Sequence, residues 1–225
     1  MTRIRFHQEL EELKHRILAM AGMAEQAVDL AVQAYSQRDI AMCQRVLNNE
    51  PAINRAEREV DEFAVDLLAM QQPMAIDLRF ILAVIKINAD LERVGDQAVN
   101  IAQRVIHMIE YDPKDLPVDI PAMAAKVRKM VRDALQSFIE GDADLAKRVL
   151  EADDEVDRMN KEAFANLSNC MQTRSDSAAQ ALDALSIARN LERVADHATN
   201  IAEDVIFWIR GADVRHHAGQ TASRL

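Results

Sequence analysis

One sixteen-residue segment occurs twice. LERVGDQAVNIAQRVI at 91–106 matches LERVADHATNIAEDVI at 191–206, without a gap and at 11 of 16 positions. A second pair lies upstream. Asp39, the RVL at 45–47, Ile53, Arg55 and Glu59 match Asp142, the RVL at 148–150, Val156, Arg158 and Glu162. The offset is 100 in the first pair and 103 in the second. A length difference of that kind belongs in a loop, and Gln71-Gln72-Pro73 is one place for it. A chain built of two copies must fold as two similar units, each with its own apolar face to bury.

The copies are helical. The chain holds 5 Gly and 5 Pro in 225 residues, and 4% aromatic residues. That is too few turn formers for a sandwich or barrel. Neither a GxGxxG, a GxxxxGK[ST] nor a GxSxG motif is present, so phosphate cradles and the nucleophile elbow are absent. Ile76, Phe80, Val84, Ile87, Leu91, Val94, Ala98, Ile101, Val105 and Met108 recur at intervals of three and four. This is a helical seam, and Ile187, Leu191, Val194, Ala198, Ile201, Val205 and Trp208 repeat it.

Punctuation then predicts three helices per copy. In the first they span about 5–36, 39–70 and 73–111, with Asp39 as an N-cap and Pro73 in a first helical turn. In the second they span about 121–140, 142–173 and 175–210, closed by Gly141 and Gly211. Pro51 should kink or split the second helix. The stretch 112–121 holds three of the five prolines and reads as a linker. The expected organisation is all-α, with two tandem three-helix bundles. A first repeat would occupy 1–112, a linker 113–121, a second repeat 122–212 and a flexible tail 213–225.

Several functions are disfavoured by composition. The net charge is −10, and Lys and Arg alternate with Asp and Glu, which argues against direct nucleic-acid binding. Nothing approaches the ~20 apolar residues of a membrane span. The first ten residues lack the apolar core of a secretory signal. Cys43 and Cys170 fit no zinc spacing. A cytoplasmic protein is expected.

The candidate chemistry lies on the third helix of each copy. Glu92, Asp96 and Asn100 are spaced by four, and Glu192, Asp196 and Asn200 repeat them. Four residues advance about 400°, so each trio forms one stripe. The stripe points away from the apolar seam, as ordinary solvated positions also do. Like charges four apart are mildly destabilising in a helix, yet both copies keep the pair. Two carboxylates and an amide are oxygen donors of the kind a hard divalent cation prefers. Glu57 and Asp61, and Asp153 and Asp157, could add ligands from the second helix of each copy. Asp77 and Asp90 are weaker candidates. His197 reads as a surface residue, and His216-His217 as a polar tail. Arg93 and Arg193 would pair with acids on neighbouring helices. Gly95, inside the motif, would admit a backbone or a ligand at close range.

At these residues the chain resembles the PhoU family of bacterial phosphate-signalling regulators. The two LERV-containing segments carry the resemblance, with QQPMAIDLR (71–79) and WIRGADVRH (208–216). The resemblance implies two three-helix bundles related by a pseudo-two-fold axis. It implies surface metal sites at Glu92, Asp96, Glu192 and Asp196; their oxygen ligands suit magnesium or manganese, while iron or zinc depends on supply. It implies a non-catalytic repressor of the phosphate-starvation response that contacts the sensor histidine kinase and the phosphate ABC transporter. Membrane association would come through those partners, and a homodimer is implied. One departure from the repeat concerns the first site: Glu50 and Asn54 stand where the second copy has Asp153 and Asp157.

Two other classes compete on residues alone. A di-iron carboxylate enzyme needs Glu-x-x-His pairs inside a bundle, and Gly95 and Ala195 occupy the histidine places. A purely structural or metal-storing helical protein explains the composition but not the duplicated acidic stripe.

Overall fold

The fold was obtained as a computed structural model that describes residues 2–211. Six long helices follow one another: α1 (Thr2–Gln37), α2 (Ile40–Gln71), α3 (Ile76–Ile109), α4 (Ile120–Glu140), α5 (Ala143–Thr173) and α6 (Ala178–Arg210). A single 3-10 turn, Ser175–Ser177, leads into α6. Helices α1, α2 and α3 pack on one another, and so do α4, α5 and α6. Among the described residues there is no strand. The tandem three-helix bundles of the sequence reading are the observed architecture. The tail 213–225, with His216-His217, lies outside the described residues.

The helix ends follow from capping. Asp39 accepts hydrogen bonds from the backbone N–H groups of Ala41 and Met42 at 2.7 and 3.3 Å. Asp142 does the same for Asp144 and Leu145 at 2.8 and 3.0 Å. Each cap satisfies orphan donors of a first turn. Gly141 and Gly211 close α4 and α6 with positive φ, 65° and 67°, where a Cβ would be strained.

One expectation about proline is narrowed and another corrected. Pro51 does not split its helix, because α2 continues from Ile40 to Gln71 with Pro51 inside it. Val46 and Ile53, on either side, are buried in the core and hold both halves of the helix in place. Pro73 does not open α3, which begins three residues later at Ile76. Gln72 and Ala75 both take positive φ, 46° and 50°, and this turn uses up the residues around Pro73. The three additional residues of the first copy fall here. Residues 72–75 join α2 to α3, whereas Arg174 alone precedes the 3-10 turn in the second copy. Pro121, in turn, sits in the first turn of α4 rather than in the linker, with Asp119 as the cap.

The core is one body, not two. Helices α3 and α6 are its centre, and they pack on each other as well as on their own bundles. Apart from Ile76, 49% exposed, every residue of the α3 seam is buried. The two helices run antiparallel. At one end Arg79 donates to the carbonyl of Trp208 at 3.0 Å, and Phe80, Phe138 and Trp208 cluster with centroids 5.1–5.9 Å apart. At the other end His107 Nδ1 lies 2.7 Å from Asp183. Between them Lys86 pairs with Asp204 at 3.0 Å. Both cysteines are buried and free. Burial and the nearby Asp39 push the Cys43 thiol up to about 11, which makes it inert near neutral pH.

Gly95 also departs from expectation. A Cβ there would meet Ile53 Cδ1 at 3.1 Å and Cγ2 at 3.3 Å. What approaches closely is an apolar side chain of α2, not a backbone or a ligand.

Candidate functional site

The acidic stripe of each third helix faces the second helix of its own bundle. In the first half, Glu92 and Asp96 on α3 are joined by Glu50 and Glu57 on α2. Burial, then Asp96, Glu57 and Glu50, hold the Glu92 carboxyl above its ordinary value, against the opposing charge of Arg93. Burial and then Glu50 raise that of Asp96, against Arg93 and His197. Asn54 donates to Glu50 at 3.3 Å, and Arg93 approaches Glu92 at 3.8 Å.

In the second half the partners are Glu192 and Asp196 on α6 with Asp153 and Asp157 on α5. Asp153 is the most perturbed member. Burial, then Asp196, Asp157, Asp154 and Glu192, raise its carboxyl to about 6. Glu192 is raised by burial, Asp196 and Asp157. Asp196 is also raised, by burial first and Asp157 after it, although His197 and Arg193 pull the other way. Lys161 pairs with Asp157 at 3.2 Å. Both clusters therefore hold carboxylates that repel one another.

Other sequence candidates are placed elsewhere. Asp61 accepts from the buried Asn88, whose Nδ2 lies 2.8 Å from both the Asp61 carboxylate and the Glu57 carbonyl. Asn200 donates to Asp90 at 3.0 Å, and His197 Nδ1 lies 2.8 Å from the same oxygen. Asp90 and His197 thus join the two bundles, and His197 is not a surface residue. Asn100 lines a groove between α3 and α6. Asp77 stands in the first turn of α3, away from both clusters. Glu50, which the repeat sets opposite Asp153, is not among the ligands expected from the sequence, yet it faces the first cluster.

The donor set of both clusters is all oxygen, which suits a hard cation. Among the described residues, however, no three His, Cys, Asp or Glu side chains already converge closely enough to hold an ion. A cation would have to draw the carboxylates together against their mutual repulsion, which its own charge would offset.

This arrangement of tandem bundles with paired acidic faces can be set beside known proteins. A family model described as the PhoU domain matches residues 17–105 and 120–205, one match per bundle. The chain belongs to the PhoU family. It is 42% identical over 213 residues to the phosphate-specific transport system accessory protein PhoU homolog of Pseudomonas putida, covering 94% of this chain and 83% of that protein. The Escherichia coli (strain K12) accessory protein PhoU is 31% identical over 220 residues, covering 98% and 91%. The crystal structure of PhoU from Pseudomonas aeruginosa superposes with a TM-score of 0.88 at 40% identity, over 92% of this chain and all of that one. The phosphate transport system regulatory protein PhoU from Streptococcus pneumoniae gives 0.82 at 25% identity, over 93% and 99%. These PhoU relatives carry accessory and regulatory names. Among the described residues, no helix is long and apolar enough to cross a membrane.

Proposed function

We propose that the chain is a cytoplasmic regulatory adaptor of phosphate transport whose acidic clusters bind divalent cations. It represses the phosphate-starvation response and tunes phosphate uptake. Its partners are the sensor histidine kinase and the ATPase of the phosphate ABC transporter, and it works as a homodimer. It meets the membrane through those partners.

The single observation that carries the metal reading is the duplication of one arrangement. A Glu-x-x-x-Asp pair on α3 or α6 faces further acids on α2 or α5, with its carboxyls held above their ordinary values. Such clusters cost folding energy unless a cation neutralises them. Glu50, Glu57, Glu92 and Asp96 would hold the first ion or ions, and Asp153, Asp157, Glu192 and Asp196 the second. Bound cations would turn two acidic helix faces into bridging surfaces for a partner.

Elemental analysis of protein purified from its own cells tests the metal reading. Metal should be present, and should fall in Glu92→Gln/Asp96→Asn and Glu192→Gln/Asp196→Asn variants. No metal in the native protein would remove the reading. Deletion should raise phosphatase expression under high phosphate, and unchanged expression would count against the regulatory role.

A further inference from the structure

The pseudo-two-fold relation that exchanges α3 with α6 maps a groove on one side of their seam onto an equivalent surface on the other. Equivalent positions differ by 100, so the two sides compare residue by residue. The groove, of about 260 Å³, is lined by Asn100, Gln103, Arg104, Ser186, Arg189, Asn190 and Arg193. The equivalent positions across the axis are Asn200, Glu203, Asp204, Lys86, Ala89, Asp90 and Arg93. Four of these changes make the groove more positive. Arg104 replaces Asp204, Arg189 replaces Ala89, Gln103 replaces Glu203 and Asn190 replaces Asp90.

The consequences are visible in the contacts. The acidic side is closed by its own pairs, with Asp204 bound to Lys86 at 3.0 Å and Asp90 to His197 and Asn200. The basic side has three guanidinium groups and no acid in its lining. Three acids flank it: Asp183, Glu192 and Asp196, the last of which feels Arg193. Asp183 lies 3.9 Å from Arg104 but is committed to His107 at 2.7 Å. Glu192 is within reach of the charges of Arg189 and Arg193 and also faces the acids of its own cluster.

We infer that this groove, lined by Arg104, Arg189 and Arg193, is a binding site for a multiply charged tetrahedral oxyanion, of which phosphate is the simplest. Guanidinium forks match the oxygens of phosphate in pairs. The flanking acids stand outside the groove, so its lining itself presents three cations and no anion. The Asn100 and Gln103 side chains offer further neutral donors at the same wall. The site goes beyond the metal reading and does not rest on it.

Calorimetric titration of the full chain in EDTA tests this, with inorganic phosphate in one arm and metal-free ATP in the other. Phosphate tighter than ATP identifies the free anion as the ligand. ATP tighter than phosphate identifies a phosphoryl group carried on a larger molecule. Either arm should lose at least tenfold in affinity in Arg104→Gln/Arg189→Ala. Gln103→Glu, an exposed change that copies the opposite surface, should weaken binding severalfold without disturbing the fold. Lys126→Gln, a surface cation elsewhere, should change nothing, and Glu92→Gln/Asp96→Asn should leave binding intact. No binding in either arm, or binding that survives both groove variants, overturns the inference. So does binding that appears only when a divalent cation is added, which would place the anion on the acidic clusters.

Discussion

The two acidic clusters descend from one arrangement but differ in charge density. The second sets Asp153 and Asp157 against Glu192 and Asp196, with Asp154 near by, and raises Asp153 to about 6. The first has Glu50 and Asn54 at the corresponding places, and Asn54 donates to Glu50. It recovers a carboxylate from Glu57, one turn further along α2, where the second copy has Asn160. Longer glutamates and an interposed amide spread the charge over more space. The second cluster is thus the more compact and the more frustrated without a counter-ion. The same scaffold tolerates different degrees of repulsion because the helices are held from behind by a shared core.

The largest effect expected from this difference is metal-linked stability. At a free cation concentration a hundred times the dissociation constant, one bound ion adds about 2.7 kcal/mol. Chemical denaturation with and without manganese should show that gain. Asp153→Asn/Asp157→Asn should remove more of it than Glu50→Gln does. Equal losses would show that the clusters act alike.

A second effect appears without metal. Asp153 holds its proton more tightly in the fold, at about 6, than at its ordinary 3.8. Its contribution to stability is greatest below the lower value and falls as pH rises through that window. The full displacement corresponds to about 3 kcal/mol, and solvent screening at a half-exposed group reduces this to about 1.5 kcal/mol. Asp153→Asn should therefore stabilise the metal-free protein by that amount at pH 7.5, and not at all below pH 4. Glu50→Gln should gain less. Urea midpoints measured across pH in EDTA check both.

The repeat, the helix count and the buried seam were legible because they rest on periodicity, which a single sequence carries in full. The docking of α3 on α6 was not. It depends on Asp90, His197, Lys86 and Asp204, which sit outside the seam and look like surface residues along one helix. Their partners lie about a hundred residues away, and no local spacing connects them. The start of α3 was misplaced because positive φ at Gln72 and Ala75 is disfavoured for residues with a Cβ, so nothing in their identity announces the turn. Asp61 and Asn200 show the limit of spacing arguments in a site. Each lies at a helical interval from a cluster member, yet each is bound by a polar neighbour that only the fold supplies.

The core beneath the clusters carries a matching difference. In the first copy Ile53 on α2 packs against Gly95 on α3. The equivalent residues are Val156 on α5 and Ala195 on α6, both fully buried. One methylene has moved from one helix to the other, so the combined volume is the same. Interiors are close-packed enough for this to matter. Val156→Ile would put the larger side chain against Ala195, where the first copy has no Cβ. Overpacking by one methylene should cost about 1 kcal/mol, read as a lower urea midpoint.

The smallest effect is the most telling about the pairing. Gly95→Ala alone gains about 1 kcal/mol of helix propensity, but its Cβ presses on Ile53. Ile53→Val alone leaves a gap and costs about 1 kcal/mol. Together they rebuild the second copy's arrangement in the first. The double variant should lie within about 0.5 kcal/mol of the parent or above it, and above the sum of the two single changes. Strict additivity in that cycle would mean that the two positions drifted independently. A positive coupling would show that the contact between the second and third helices, directly behind each acidic cluster, has been kept constant in volume while the acids in front of it diverged.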